Sequence, residues 1–510
     1  MGKKNSNTLV KNASFLMVAA LISKIIGMIY KSPLSSLLGR ESFACFQFAQ
    51  NVYFILLMIA SFSIPQAVSK IMSERIAFKR YRDAQRVFKG ALLYAVIAGG
   101  IVALICVFGA SILVPDSVAN ARLALQMLAP TVFISGILGV FRGYFQAYRN
   151  MMPTSISQIV EQIAVAVVAL LMANFMVNHF AGAGEDTLQR WSAAGATIGT
   201  GAGVTAALLF MLFVYSVNRK TINRRIARDK VSVDESYQQV MRNIVLIVAP
   251  IILSAFIYNV NGYINGVMYT SISDFRGMDN SQVKVLYAEF GFFMTLINIP
   301  LTLASTAPTS MIPEVSAHYA TGDVKGAIEK ISNATWISML ISMPASVGLA
   351  VLAKPVTSLL FPSTEGVAGQ LMVLGVITVI LNSTSNISNG VLQGIGRANV
   401  PMINAAISLA VDVVFLAVLL FFTNTGIYAV VIAMIVYAVV MCVLNDRALK
   451  KYLGYQNPWK YAYLPPLLAT IPMGAVAFAV YKGVRFLTKS LPYSNLLALI
   501  PSIALAAAVY

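Results

Sequence analysis

Apolar runs of about 20 residues recur almost from end to end of this 510-residue chain. Each is long enough to cross a hydrocarbon core of roughly 30 Å as a helix. In lipid no water is available to an unpaired backbone amide, so a span must close its hydrogen bonds on itself. Only 11% of residues are charged and 58% are hydrophobic, whereas a soluble domain carries roughly 25% charged residues. A soluble enzyme is therefore excluded. The apolar windows place spans at 13–31, 43–65, 88–114, 121–145, 153–178, 192–217, 243–270, 285–311, 331–353, 367–392, 400–422, 425–445, 460–482 and 493–510. The fold class is all-α, a polytopic membrane protein of about fourteen spans.

The net charge of +18 would suggest nucleic acid in a soluble protein. Here its distribution across the loops is the informative part. Of the 37 Lys and Arg residues, 26 fall on the side of the N-terminus, ten on the other, and Lys24 within a span. By the positive-inside rule the N-terminus is expected to be cytoplasmic. Orientation alone accounts for most of the charge, so no nucleic-acid partner is expected. The basic stretch from Arg219 to Lys230 reads either as an inside-positive tether or as a surface resting on anionic lipid.

An internal repeat appears at a fixed offset of 251 residues: Gly139, Val140, Gly143, Ala147, Met151, Ile156, Ser157, Ala166 and Val167 meet Gly390, Val391, Gly394, Ala398, Met402, Ile407, Ser408, Ala417 and Val418. A second echo pairs Ile64-Pro65 with Ile312-Pro313. Six spans separate the partners, so the repeats share orientation, as in transporters built from parallel repeats with a substrate site near mid-bilayer. The expected organisation is two pseudo-symmetric six-helix lobes, 1–217 and 243–446, a basic cytoplasmic linker 218–242, and two extra helices in 447–510.

Polar residues inside spans are costly, a lysine or aspartate at a helix centre by roughly 2.5–3.5 kcal/mol, and usually face a cavity or a partner. Lys24 lies eleven residues into the first span, ~16 Å deep at 1.5 Å per residue. It reads as a cation lining a cavity for an anionic substrate, or as half of a buried pair with Glu161 or Asp412. Glu161 and Asp412 are related by the repeat and serve either to hold a lobe together or to couple an ion. Glu289 and Glu314, at the two ends of the eighth span, are weaker candidates for the same roles. Gln47 with Asn51, and Asn261 with Asn265, set amides on one helix face, as a wet cavity wall or as interhelical hydrogen bonds.

Several chemistries lack their residues. Three cysteines at unrelated spacings and two histidines make neither a disulfide framework nor a metal site. No P-loop motif is present, and Gly199, Gly201 and Gly203 fall inside a span, where close helix packing explains them better than a dinucleotide loop. No cofactor is expected; a coupling ion or the membrane potential supplies the drive.

The stretches Ser23-Lys24-Ile25-Ile26-Gly27, Tyr30-Lys31-Ser32-Pro33-Leu34 and Ile64-Pro65-Gln66-Ala67-Val68-Ser69-Lys70 resemble the SpoVB/MurJ-like polysaccharide-biosynthesis flippases. So do Arg142-Gly143-Tyr144-Phe145-Gln146, Ser157-Gln158-Ile159-Val160-Glu161-Gln162 and Leu392-Gln393-Gly394-Ile395-Gly396. This family belongs to the multidrug/oligosaccharidyl-lipid/polysaccharide exporter superfamily. The resemblance implies two lobes around a cationic cavity lined by the first, second, seventh and eighth helices, a groove at the last two helices for a polyprenyl tail, and alternating access. It implies transport of an undecaprenyl-pyrophosphate-linked cell-wall precursor, foremost lipid II, from inner to outer leaflet for peptidoglycan synthesis. Lys24 falls where the family carries a basic cavity residue. Arginines expected in the second span are replaced by Val52, Tyr53, Phe54 and Ile55, and Lys31 and Arg40 are candidates to supply the missing charge.

The alternatives are a lipid-linked teichoic, capsular or spore-cortex unit as cargo, and a cation-coupled multidrug exporter, which would want twelve helices and an acidic cavity. Outer loops of only about 15 residues leave little room for a membrane-bound glycosyltransferase. The expectation is thus a transporter and not an enzyme, a multi-pass monomer of the bacterial cell membrane whose partners are its lipid-linked glycan, membrane lipids and cell-wall synthases.

Overall fold

The computed structural model describes residues 18–19, 21–62, 64–148, 150–233, 235–304, 314–316, 318–319, 321–364, 366–491 and 493–510. Among these the chain is helix and turn, with no strand. It divides into two compact units, Met1–Tyr263 and Ile264–Tyr510.

The first unit runs through α1 (residues 21–29), α2 (Lys31–Leu38), α3 (Arg40–Leu57), α4 (Ile64–Ala77), α5 (Tyr81–Phe108), α6 (Ala121–Met127), α7 (Ala129–Ala147), α8 (Met152–His179) and α9 (Glu185–Ala227). The unit boundary falls inside α10 (Tyr237–Phe275). The second unit continues with α11 (Asn280–Ala304), α12 (Val324–Val351), α13 (Ala353–Leu360), α14 (Val367–Gly375), α15 (Ile377–Gly394), α16 (Asn399–Phe422), α17 (Ile427–Leu453), α18 (Leu464–Leu487) and α19 (Ser494–Val509).

Ten helices among the described residues are long and apolar enough to cross a membrane, and α14 with α15, bent by 45°, makes an eleventh. The predicted spans at 243–270 and 493–510 coincide with α10 and with the 16-residue α19. Residues 13–17 of the first predicted span lie outside the described residues, as do Ile312 and Pro313 of the second repeat echo. The protein is an all-helical, multi-pass membrane protein.

The repeat is visible inside each unit as a broken helix followed by a hairpin. In the first, α6 and α7 meet at Leu128 and turn into α8; in the second, α14 and α15 meet at Val376 and turn into α16. Pro130 at the start of α7 lacks the N–H that would carry an uninterrupted helix through this point. No proline stands at Val376, so the second break has a different local cause.

Two boundaries differ from the sequence reading. The second predicted span, 43–65, does not end at Pro65: α3 passes through a five-residue π-helical turn, Met58–Phe62, and continues as α4 to Ala77. Such wide turns absorb a backbone group left unpaired by proline. The expected linker 218–242 is also mostly helical. Its first residues extend α9 to Ala227, because Arg and Lys are good helix formers and Arg224 and Arg225 sit favourably at the negative end of the helix dipole.

Candidate functional site

Two sequence motifs meet in the first unit. A Cβ on Gly143 would lie 2.7 Å from the Pro65 carbonyl oxygen and 2.9 Å from Val68 Cβ, and one on Gly139 would lie 3.4 Å from Pro65 Cδ. The Ile64–Lys70 and Arg142–Gln146 stretches are thus the two sides of one close helix contact, in which only glycine leaves room for the α4 backbone. The glycines of α9 work the same way. Cβ atoms on Gly199 and Gly203 would strike Ala169 at 2.5 Å and Val165 at 2.3 Å, so helix packing is their role.

Beside that contact, Arg142 on α7 donates from Nε to Ser157 Oγ (3.0 Å) and from Nη2 to Glu161 Oε2 (2.7 Å) on α8. The pair is mostly buried, with side chains 16% and 20% exposed. Glu161 is therefore held by Arg142. Its expected alternative partner, Lys24, is exposed on α1 and makes no hydrogen bond or ion pair with any described residue.

The remaining candidates of the first unit lie along α1–α3 and α10. The backbone hydrogen bonds Tyr30 N–H to Ile26 O and Leu34 N–H to Tyr30 O carry α1 into α2. Lys24 and Lys31, seven residues apart, consequently share a face about 10 Å apart along the axis. A Cβ on Gly27 would lie 3.2 Å from Gln162 Oε1, so α1 packs on α8 through that glycine. Gly39, at φ +72°, breaks the helix and lets α3 start with Arg40, which is half-buried. On α3, Gln47 is buried, and Asn51, one turn on, is half-buried. Asn261 on α10 is buried as well.

In the second unit Asn265 is 1% exposed and Asp412, on α16, is fully buried. Below Asp412 an amide relay ties three helices: Asn404 Nδ2 donates to Asn445 Oδ1 (2.9 Å), and Asn445 Nδ2 donates to Asn389 Oδ1 (2.7 Å). The repeat thus places Ser157 and Ser408, and Glu161 and Asp412, at equivalent positions, but Ser157 accepts from Arg142 in one unit whereas Ser408 donates to the Asn404 carbonyl and lies 3.8 Å from Met441 Sδ in the other.

Glu289 is fully buried on α11 and accepts from Thr364 Oγ1 (2.5 Å) and from the Ala368 N–H (2.7 Å). It caps the first turn of α14, where a carboxylate meets unpaired amides and the positive end of the helix dipole. Glu314 pairs with Lys330 at 2.7 Å, both well exposed.

Sequence reasoning missed the buried cation Lys284, 8% exposed on α11 and counted above with the outer loops. It also missed a latch between residues 80–86 and 229–235. Asp83, with no exposed side chain, accepts from Arg80 Nε (2.8 Å) and from the N–H groups of Val233 (3.0 Å) and Glu235 (3.1 Å). Asp229 accepts from the Arg82 N–H (2.7 Å), and Arg86 Nη1 donates to the Glu235 carbonyl (2.9 Å). Glu235 in turn bridges Arg75 and Arg80 at 3.2 and 2.7 Å. The only available signal was the presence of three acids, Asp229, Asp234 and Glu235, within an otherwise basic segment.

Residues 9–317 match the family described as polysaccharide biosynthesis protein. The lipid II flippase MurJ of Bacillus subtilis (strain 168) is 23% identical over 80% of this chain and 77% of its own. Stage V sporulation protein B of the same organism is 24% identical over 95% of this chain and 89% of its own. Among solved structures, that of lipid II flippase MurJ in an inward closed conformation superposes with a TM-score of 0.62 at 12% identity, over 97% of this chain and 98% of the other. An inward-facing multidrug resistance MATE family transporter of the MOP superfamily gives 0.66 at 16% identity, over 84% and 96%.

Proposed function

Because the chain belongs to the polysaccharide biosynthesis protein family, a family of membrane flippases, we propose that it moves an undecaprenyl-pyrophosphate-linked cell-wall precursor, foremost lipid II, from the inner to the outer leaflet by alternating access. The observation that carries this reading is Lys24, a cation in the first span with no carboxylate bound to it among the described residues. Lys31 on the same face adds a second positive charge.

A lipid-linked pyrophosphate cannot cross ~30 Å of hydrocarbon unaided, and a cation away from bulk water attracts it far more strongly than one in water. In this reading Lys24, Lys31 and Arg40 receive the pyrophosphate, and the amides of Gln47, Asn51 and Asn261 receive sugar hydroxyls. The segment 447–510 accommodates the polyprenyl tail. The membrane potential, worth ~2.3 kcal/mol per charge at 100 mV, drives the anion outward or resets the empty carrier.

The experiment is depletion of a host's lipid II flippase with this protein supplied in trans, reading lipid II at the outer surface. Rescue that is lost on Lys24→Met and kept on Glu314→Gln is the expected result. Absence of rescue by the wild type sinks lipid II as the cargo. It would then favour a spore-cortex unit, a second reading supported by the 95% of this chain that aligns with stage V sporulation protein B.

A further inference from the structure

At the basic end of the first unit, α5 and α9 form the walls of a surface cavity of about 690 Å³. Each wall offers an amide and a cation one helical turn apart: Gln85 and Lys89 from α5, Asn223 and Arg219 from α9. Tyr215 closes the floor, its hydroxyl accepting from Gln85 Nε2 at 3.1 Å and its ring stacked on Phe88 at 5.4 Å.

Four arginines at or just before the start of α5 are already held. Arg75, Arg80, Arg82 and Arg86 are all engaged by Asp83, Asp229 or Glu235. Lys89 and Arg219 make no hydrogen bond or ion pair with any described residue. Two unneutralised cations with two amide donors form a receptor for a phosphate, which offers several acceptor oxygens at once.

The cavity continues into an apolar wall. Phe213 on its rim is 64% exposed, and Leu209 and Val217 on the same helix are 61% and 65% exposed. These lie at the end of the α9 apolar run, where acyl chains meet headgroups. A soluble anion has no use for that wall, whereas an amphiphile fills both halves.

We propose that this cavity binds one anionic glycerophospholipid, its phosphate held by Lys89, Arg219, Gln85 and Asn223 and its acyl chains along Leu209, Phe213 and Val217. The site belongs to the first unit alone and does not depend on which glycan the protein carries. It places a resident lipid against α9, the helix that leads into the latch.

The test uses the full-length protein in a neutral detergent and native mass spectrometry with phosphatidylglycerol and phosphatidylcholine as probes. Wild-type protein is expected to retain one phosphatidylglycerol about tenfold or more tightly than phosphatidylcholine, in line with the attraction of two basic residues near a membrane surface. Lys89→Gln with Arg219→Gln removes that preference, and Lys89→Arg with Arg219→Lys restores most of it. Lys220→Gln with Arg224→Gln, equal in charge but outside the cavity, leaves it intact. The proposal fails if the two lipids bind equally, or if the Lys220/Arg224 pair lowers binding as much as the Lys89/Arg219 pair. Displacement of the lipid by millimolar inorganic phosphate would equally overturn it, in favour of a soluble anion.

Discussion

The buried carboxylate of Asp83 accepts the backbone N–H of Val233 at 3.0 Å, joining residues 150 positions apart. With Asp229 and Glu235 it binds the non-helical part of the linker to the start of α5. A segment that charge counting presents as a loose tether is therefore docked. Asp83→Ala should lower unfolding stability by about 2–3 kcal/mol, because it removes the acceptor of Arg80 Nε and of two backbone donors, although Glu235 still pairs with Arg80. Thermal unfolding of the purified protein measures the loss, and limited trypsin digestion should cut near Arg228 and Lys230 faster than in the wild type.

The latch should also respond to acid. Burial alone would raise the Asp229 carboxyl, but hydrogen bonds from Ser232 Oγ and from the Arg82, Val231 and Ser232 N–H groups outweigh it and hold the group well below the usual carboxylate range. A depressed carboxyl stabilises the folded state above its unfolded value of about 3.9 and loses that contribution as pH falls toward the folded value. Linker proteolysis by an acid-tolerant protease should be flat from about pH 8 to 5 and rise only below about pH 4. Asp229→Asn should raise it across the whole range.

The contact of Gly143 with Pro65 predicts a sharp positional contrast. Gly143→Ala puts a methyl 2.7 Å from the Pro65 oxygen and should cost roughly 1–3 kcal/mol by overpacking. Gly100→Ala, in α5 with nothing within 4 Å of the new carbon, should be neutral or stabilise by up to about 1 kcal/mol through helix propensity. Melting curves of the two variants would decide it, and equal effects would remove the packing explanation of the Arg142–Gln146 motif.

Arg142 and Glu161 should be energetically coupled. In a double-mutant cycle with Arg142→Gln and Glu161→Gln, the coupling should be about 1–2 kcal/mol, above that of an exposed pair because both side chains are mostly buried. If Glu161 also carries a coupling ion, Glu161→Gln will abolish transport at a temperature where the folded fraction is unchanged. If its work is holding α7 to α8, transport will follow stability.

Glu289 should matter through α14. Glu289→Ala removes the acceptor for Ala368 N–H and Thr364 Oγ1 and should destabilise by about 1–2 kcal/mol, the usual cost of losing a helix cap. Thr364→Val should cost less, and the double variant should fall short of the sum because the two share one bond.

Read from the amino acids alone, the chain declares its solvent and its repeat: apolar runs of span length admit little but helices in lipid, and the 251-residue offset shows as a broken helix and hairpin in both units. The packing role of Gly199 and Gly203 was also legible, since small residues inside a span have few other uses. Which charge meets which was not. Glu161 had Lys24 as a candidate partner and binds Arg142; Glu289, read as a coupling or lobe-structural candidate, caps α14; Asp229 and Glu235, two acids in a basic linker, fold back onto residues 75–86. Hydrophobic burial depends on composition and period, which a sequence displays directly. Hydrogen bonds, including the charged ones that join these pairs, form only within about 3 Å and a narrow angle, and that proximity exists only once the helices have packed.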